Sequence, residues 1–183
     1  PKLRKIMALK ATINKATIQL SDMDRNYYDT LNLTIAQHPS ETDIRMMVRL
    51  LAFILNANEN LQFGKGVSDE EEAAIWQINY SEVIELWIEL GQLDEKRLKK
   101  ACNRAQKVIL YTYGSSAETW WKQSQNKLRL FNKLSIEMVS QETCDALAKL
   151  AGRSMDFQCS IQDNQLWLTA GDETLLIETT TLQ

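Results

Sequence analysis

Residues 83–91 read Val-Ile-Glu-Leu-Trp-Ile-Glu-Leu-Gly, and the rest of the chain takes its frame from them. Val83, Ile84, Leu86, Ile88 and Leu90 are apolar, and Glu85, Trp87 and Glu89 fall between most of them. A period of two marks a strand, here one that lines a core on one face. Two glutamates on the other face are unusual in a strand so rich in bulky apolar residues. Gly91 to Asp94 make a turn, and Asp94 is the N-cap of a helix over 95–107. Leu98, Ala101, Cys102 and Ala105 share one face of that helix. Lys96, Arg97, Lys99, Lys100, Arg104 and Lys107 give it six cations, opposed by Glu95. Val108 to Tyr113 is a short apolar strand, which predicts a central position covered on both faces. A strand–helix–strand unit favours a parallel pair with a right-handed crossover.

Upstream, Ile75 to Tyr80 is a short strand that pairs with 83–91 as a hairpin, with Trp76 and Trp87 facing each other across it. The polar segment 56–72 reads as a loop. Before it, the apolar positions of 44–55 cover a broad helical face, so that helix is predicted to be well buried. It starts after Pro39, with Ser40 as N-cap and Asp43 at the third position in the manner of a capping box. Ala11 to Leu20 and Tyr27 to Gln37 alternate Thr, Ile and Leu with polar residues and form a hairpin about the turn 21–24.

Downstream, residues 117–130 are helical, anchored by Trp120, Trp121 and Leu128. Leu134 to Val139 is a strand. Residues 141–152 are a helix closed by Gly152. Three strands near 157–161, 165–169 and 175–179 form a final meander. No repeat or domain boundary is visible. The expected architecture is one α/β (α+β) domain over 1–183, with a mixed central sheet flanked by helices.

The 183 residues are enough for one substantial core, and an apolar fraction of 44% is ordinary for a globular protein. The net charge of −3 lacks the basic surplus of a protein that grips duplex nucleic acid along its whole surface. Cys102, Cys144 and Cys159 are odd in number and far apart, which suggests reduced thiols in the cytoplasm and neither a zinc site nor a disulfide framework. No apolar run long enough for a membrane span occurs. Pro1 to Ile6 read as an upstream extension or an expression remnant, because Met7 offers a natural start.

Chemistry has four candidate locations. Glu89, Glu41 and either Glu71 or Glu72 come from separate elements. Two or three such carboxylates, completed by water and phosphate, suit Mg²⁺. Lys100 or Lys99 would then polarise the attacking water or balance phosphate charge. The bland alternative is that Glu70 to Glu72 are a solvated loop and that Glu85 and Glu89 pair with Lys or Arg. The basic helix is either a phosphate contact or a solvated face. His38 is the single histidine, which removes most zinc hydrolases, and it suits a surface or packing role. Trp120, Trp121 and Trp167 are candidates for base stacking, although packing explains most tryptophans equally well. No nucleophile elbow, P-loop or dinucleotide fingerprint occurs.

The segments MALKATINKATIQLSDMDRNYYDTLNLTIAQHPSETDIRMMVRLLAF, LWIELGQLDEKRLKKA and VILYTYG, with the Trp120-Trp121 pair and the end strands, resemble the YaeQ family of bacterial proteins. The resemblance covers essentially everything after Ile6. That family is similar in fold to the PD-(D/E)XK nucleases, which implies a mixed sheet flanked by helices, with a hairpin that carries acidic metal ligands. By that likeness Glu89 takes the place of the acid in the (D/E)XK element and Glu72 is its partner. The lysine expected two positions on is replaced by Gly91, so its function would pass to Lys100 or Lys99, with Arg97 nearby. The family also shows Asp-Glu-Pro where this chain has 70–73, and Pro where it has Leu93. The resemblance implies a Mg²⁺-dependent nuclease or phosphodiesterase, with Lys100, Glu89 and Arg97 as catalytic candidates and Glu72, Glu89 and Glu41 around the metal. The alternative is a catalytically silent module on the same scaffold that binds nucleic acid or a protein partner.

Overall fold

In a computed structural model of the chain, which describes residues 10–66 and 71–183, two mixed sheets enclose a shared core. Pro1 to Met7 and Glu70 lie outside the described residues. The predicted hairpin is β1 (Thr12–Asp22) and β2 (Tyr27–Gln37), antiparallel in register from Thr12↔Gln37 to Asp22↔Tyr27. The polar partners of its alternating pattern face outward. Ala16, Ile18, Leu20, Leu31 and Ile35 face the core.

Helix α1 (Asp43–Leu55) follows, and it is capped by Thr42 rather than Ser40. The Thr42 hydroxyl accepts the Arg45 backbone N–H at 3.1 Å. Ser40 is drawn away by His38, whose Nδ1 meets the Ser40 N–H at 3.1 Å and its hydroxyl at 2.6 Å. Thr42→Ala is therefore expected to lower stability by about 1 kcal/mol. Ser40→Ala should leave the urea midpoint nearly unchanged.

The segment predicted as a loop contains a short strand, β3 (Leu61–Phe63), which pairs with β4 (Ile75–Ile78). β4 pairs antiparallel with β5 (Ile84–Leu90), and Trp76 stands directly opposite Trp87 as predicted. Their rings meet edge to face at 5.7 Å. Helix α2 (Glu95–Arg104) begins at its Asp94 cap and returns the chain to β6 (Val108–Tyr113), which runs parallel to β5. Helix α3 (Ala117–Leu128) leads to β7 (Leu134–Val139), parallel to β6 on its other side.

Helix α4 (Gln141–Ala148) stops at a Lys149 cap, short of Gly152. The meander β8 (Ser154–Gln162), β9 (Gln165–Ala170) and β10 (Glu173–Ile177) joins the first hairpin through a parallel β1–β8 pairing. A final short strand, β11 (Thr180–Thr181), adds to β7. The sheet orders are β10-β9-β8-β1-β2 and β11-β7-β6-β5-β4-β3.

The larger core lies between the two sheets around α1 and α4, and the smaller one lies under α2 and α3. β5 and β6 sit between these cores. Leu86, Ile88 and Leu90 face the first, and Trp87 faces the second. The opening strand is thus covered on both faces at its C-terminal half, not on one. Glu89, on the side predicted to face water, is buried at 4% exposure. Among the described residues no helix is long and apolar enough to cross a membrane.

Candidate functional site

Three parallel strands, β5, β6 and β7, end on the same side of the larger sheet. The C-terminal edge of such strands is where α/β proteins present ligand-binding groups. Glu89 stands one residue from the end of β5. Gly91 and Gly114 follow β5 and β6 with φ of 98° and 93°, a region that favours glycine. At Gly91 the reason is conformation and not crowding, because an added Cβ would meet nothing within 4 Å. A lysine at this point of the turn would be strained, which accounts physically for its absence.

The Glu89 carboxylate is held from one side. Trp87, two residues earlier on the same strand face, donates its indole N–H to Oε1 at 2.8 Å. Arg97, from the first turn of α2, donates to the same oxygen at 3.0 Å. Among the described residues Oε2 receives no hydrogen bond. Burial pushes the Glu89 carboxyl up from its ordinary value; the Arg97 charge, the two hydrogen bonds and the more distant Arg45 charge pull it down without cancelling that effect. Trp87 is itself fixed by Trp76 at its edge and by the Arg104 guanidinium, which stacks 4.9 Å from the ring centre.

Glu41 is buried on the other side of the strand, where both oxygens are committed. Arg45 bonds Oε2, and Arg49 donates to Oε1 at 2.7 Å. Arg49 also donates to the Ala36 carbonyl at 3.0 Å and lies 5.2 Å from the Phe63 ring centre. Arg45 acts electrostatically on both Glu89 and the half-buried Tyr113 at the end of β6. Glu41 is thus paired with Arg45 and Arg49, Glu89 is paired with Arg97, and the Arg45 charge also reaches Glu89.

The remaining predicted residues lie further out. Lys100 pairs with Glu71 at 2.7 Å, an exposed contact of little energetic weight. Arg104 donates to the Glu71 carbonyl at 2.6 Å. Glu72 accepts the Lys65 backbone N–H at 2.8 Å, and its other oxygen lies 3.7 Å from the Lys65 ammonium. Lys96 and Lys99 are exposed, without an ion pair among the described residues. No group of three or more His, Cys, Asp or Glu among the described residues is placed to hold one metal ion together. The structure thus joins Glu89 to Arg97 directly. It ties Lys100 to the Glu71 alternative, and it sets Glu41 against two arginines.

Sequence reading passed over Arg45, Arg49 and the role of Trp87. The signal for the arginines was their spacing, since 41, 45 and 49 repeat every four residues on one helical stripe. The signal for Trp87 was its place two residues before Glu89, on the same face.

The family model described as YaeQ protein matches residues 7–179. The chain belongs to the YaeQ family. The YaeQ protein of Escherichia coli (strain K12) is 45% identical over 178 residues, which span 97% of this chain and 98% of that one. The Salmonella typhi protein is 46% identical over the same shares. Among solved structures, YaeQ from Xanthomonas axonopodis pv. citri matches with a TM-score of 0.91 at 42% identity, over 94% of this chain and 98% of that one. YaeQ from Pseudomonas syringae matches with a TM-score of 0.90 at 33% identity, over 94% and 96%. The YaeQ architecture is therefore the mixed α+β arrangement described above.

Proposed function

We propose that the C-terminal edge of β5 is a divalent-metal-dependent phosphodiester hydrolase site acting on nucleic acid, on a scaffold related to the PD-(D/E)XK nucleases. The observation that carries this reading is the Glu89 carboxylate, with one oxygen anchored by Trp87 and Arg97 and the other open. Carboxylates that ligate metals are oriented in this way by outer-shell donors. Mg²⁺ commonly takes one or two carboxylates and fills its remaining positions with water and phosphate, so Glu89 would serve as the first, and Glu72 would join it only on release from Lys65. Once bound, the ion would supply Lewis-acid polarisation of the phosphate.

The chain's own residues have separable roles in this reading. Trp87 fixes the Glu89 rotamer. Arg97 balances the Glu89 charge and, with Lys100, offers positive charge to the equatorial phosphate oxygens. Glu41 is a supporting residue that holds Arg45 and Arg49 in place. Burial strengthens the interactions of Trp87 with Glu89 and of Glu41 with Arg49, whereas Lys100 acts from solvent.

Calorimetric titration with Mg²⁺ tests the site. Metal binding needs the ionised carboxylate, and the Glu89 carboxyl is raised, so affinity should fall with decreasing pH through a midpoint above the ordinary carboxylate value of 4.5. Glu89→Ala should remove the binding. Affinity unchanged in that variant would sink the assignment.

One observation favours a second reading. Gly91 stands where a nuclease of this type keeps its lysine. A catalytically silent module would keep the cations of α2 for nucleic-acid phosphates, or use the same face for a protein partner. It would show salt-sensitive binding to nucleic acid, or capture of a protein, without cleavage.

A further inference from the structure

Beside the Glu89 edge lies a cleft of about 350 Å³ between the turn that leaves β5 and helix α3. Leu93, Trp120 and Leu128 form its apolar floor, and Gln123 and Ser124 stand at its rim. Trp120 is half-buried. Its ring leans on Trp121 at 6.4 Å and 41°, and Trp121 is buried beneath Arg129 at 5.7 Å. The exposed part of Trp120 is therefore a rigid aromatic surface. Among the described residues the side chains of Gln123 and Ser124 make no hydrogen bond, so their donors and acceptors are free for a ligand's polar edge.

Charge narrows the class of ligand. Asp94 and Glu95 also border the cleft, and Asp94 is already used as the α2 cap. Lys127 lines the cleft too, 3.9 Å from Glu95, so the cleft offers a phosphate no uncompensated cation and suits an uncharged flat ring. The volume is at the small end of ligand pockets, about 300–1,000 Å³, which suits one ring system and not a stretch of polymer. The cleft wall at Leu93 is only four residues beyond Glu89 in the chain, whereas the lysines on the next turn of α2 remain in solvent.

We propose that this cleft takes one unpaired nucleobase, stacked on Trp120, from a strand whose phosphate lies along the Glu89 edge. The inference rests on the nucleic-acid reading above and gives it a substrate class: single-stranded or locally unpaired, because a paired base cannot enter the cleft. Each stacked base contributes through its π-face, so binding should tolerate any base.

The test uses the full chain without metal, with a short fluorescein-labelled oligothymidylate and a duplex of equal length. Fluorescence anisotropy should show the single strand binding more tightly than the duplex. Trp120→Ala should weaken single-strand binding about 5- to 100-fold, and Trp120→Phe should keep most of it. Intrinsic tryptophan emission provides a second readout that does not depend on the alanine variant folding. The unlabelled strand should quench that emission in the unsubstituted chain and lose most of this effect in Trp120→Phe. Equal single-strand affinity in Trp120→Ala, or undiminished quenching in Trp120→Phe, would overturn the proposal. Trp120-dependent binding without Mg²⁺-dependent cleavage would uphold the cleft and remove the hydrolase reading. Cleavage indifferent to Trp120 would do the reverse.

Discussion

Arg49→Ala will destabilise the protein by about 3–5 kcal/mol, the range found when one partner of a buried ion pair is removed. Arg49 is 4% exposed and Glu41 is 6% exposed, so water cannot replace the lost partner. The substitution also frees the Ala36 carbonyl and removes the guanidinium from the Phe63 ring. Burial pushes the Arg49 guanidinium down from its ordinary value, and Glu41 pushes it back up. The pair is thus a desolvated charge kept ionised by its partner. Its Nε has no hydrogen-bond partner among the described residues, so the site already contains one unsatisfied donor. The double variant Arg49→Met, Glu41→Gln should be less destabilised than Arg49→Ala alone, because the one charge left without its partner, Arg45, is 23% exposed at its side chain and reaches water. Urea denaturation of the two variants and the unsubstituted chain measures this, and a loss below about 1 kcal/mol for Arg49→Ala would place the pair among contacts of surface strength.

Glu89→Gln will remove metal-dependent cleavage by at least about 100-fold, beyond what loss of an outer-shell partner costs, and will leave the fold intact. The amide keeps an oxygen for the Trp87 N–H and fills the same space. Stability should even improve at neutral pH. The folded Glu89 carboxyl is raised above its unfolded value, so the folded state binds more protons in the interval between the two. The contribution to stability is therefore full below the ordinary carboxylate value and falls as pH rises through the folded one. Glutamine has no such slope. Arg97→Ala behaves oppositely. It leaves the Glu89 charge buried without its nearest cation and should lower stability by about 3 kcal/mol, the low end for a broken buried pair, because the Arg97 side chain is 27% exposed. Combining Arg97→Ala with Glu89→Gln should recover most of that loss. Thermal melts across pH for all three variants distinguish charge burial from packing.

Much of this architecture was legible in the sequence because local pattern and final environment agree. Thr-Ile and Leu-Thr alternation marked β1 and β2, and Asp94 marked the start of α2. The apolar run 108–113 marked a strand covered on both faces. What local pattern does not contain is which distant element covers a face. The alternation in β5 is the same whether Glu89 meets water or α2, and only the packing of α2 decides that it is buried. The parallel β1–β8 pairing joins residues more than a hundred positions apart and leaves no local mark. β3 is three residues long, too short for a period to show. The cap of α1 was misread because Ser40 and Thr42 are equally good cap residues, and the choice falls to the His38 ring that engages Ser40. The Glu89–Arg97 contact followed from strand–turn–helix order. The Arg45 and Arg49 contacts to Glu41 required seeing that the residue before the helix still lies on its stripe.

The most direct measurement of the central claim incubates the unsubstituted chain and Glu89→Gln with labelled single- and double-stranded DNA and RNA, with Mg²⁺ or Mn²⁺ and with chelator. The unsubstituted chain should cleave only with the metal, and cleavage should disappear in Glu89→Gln while the fold persists. Absence of cleavage under every metal condition, or equal cleavage by both proteins, would contradict it.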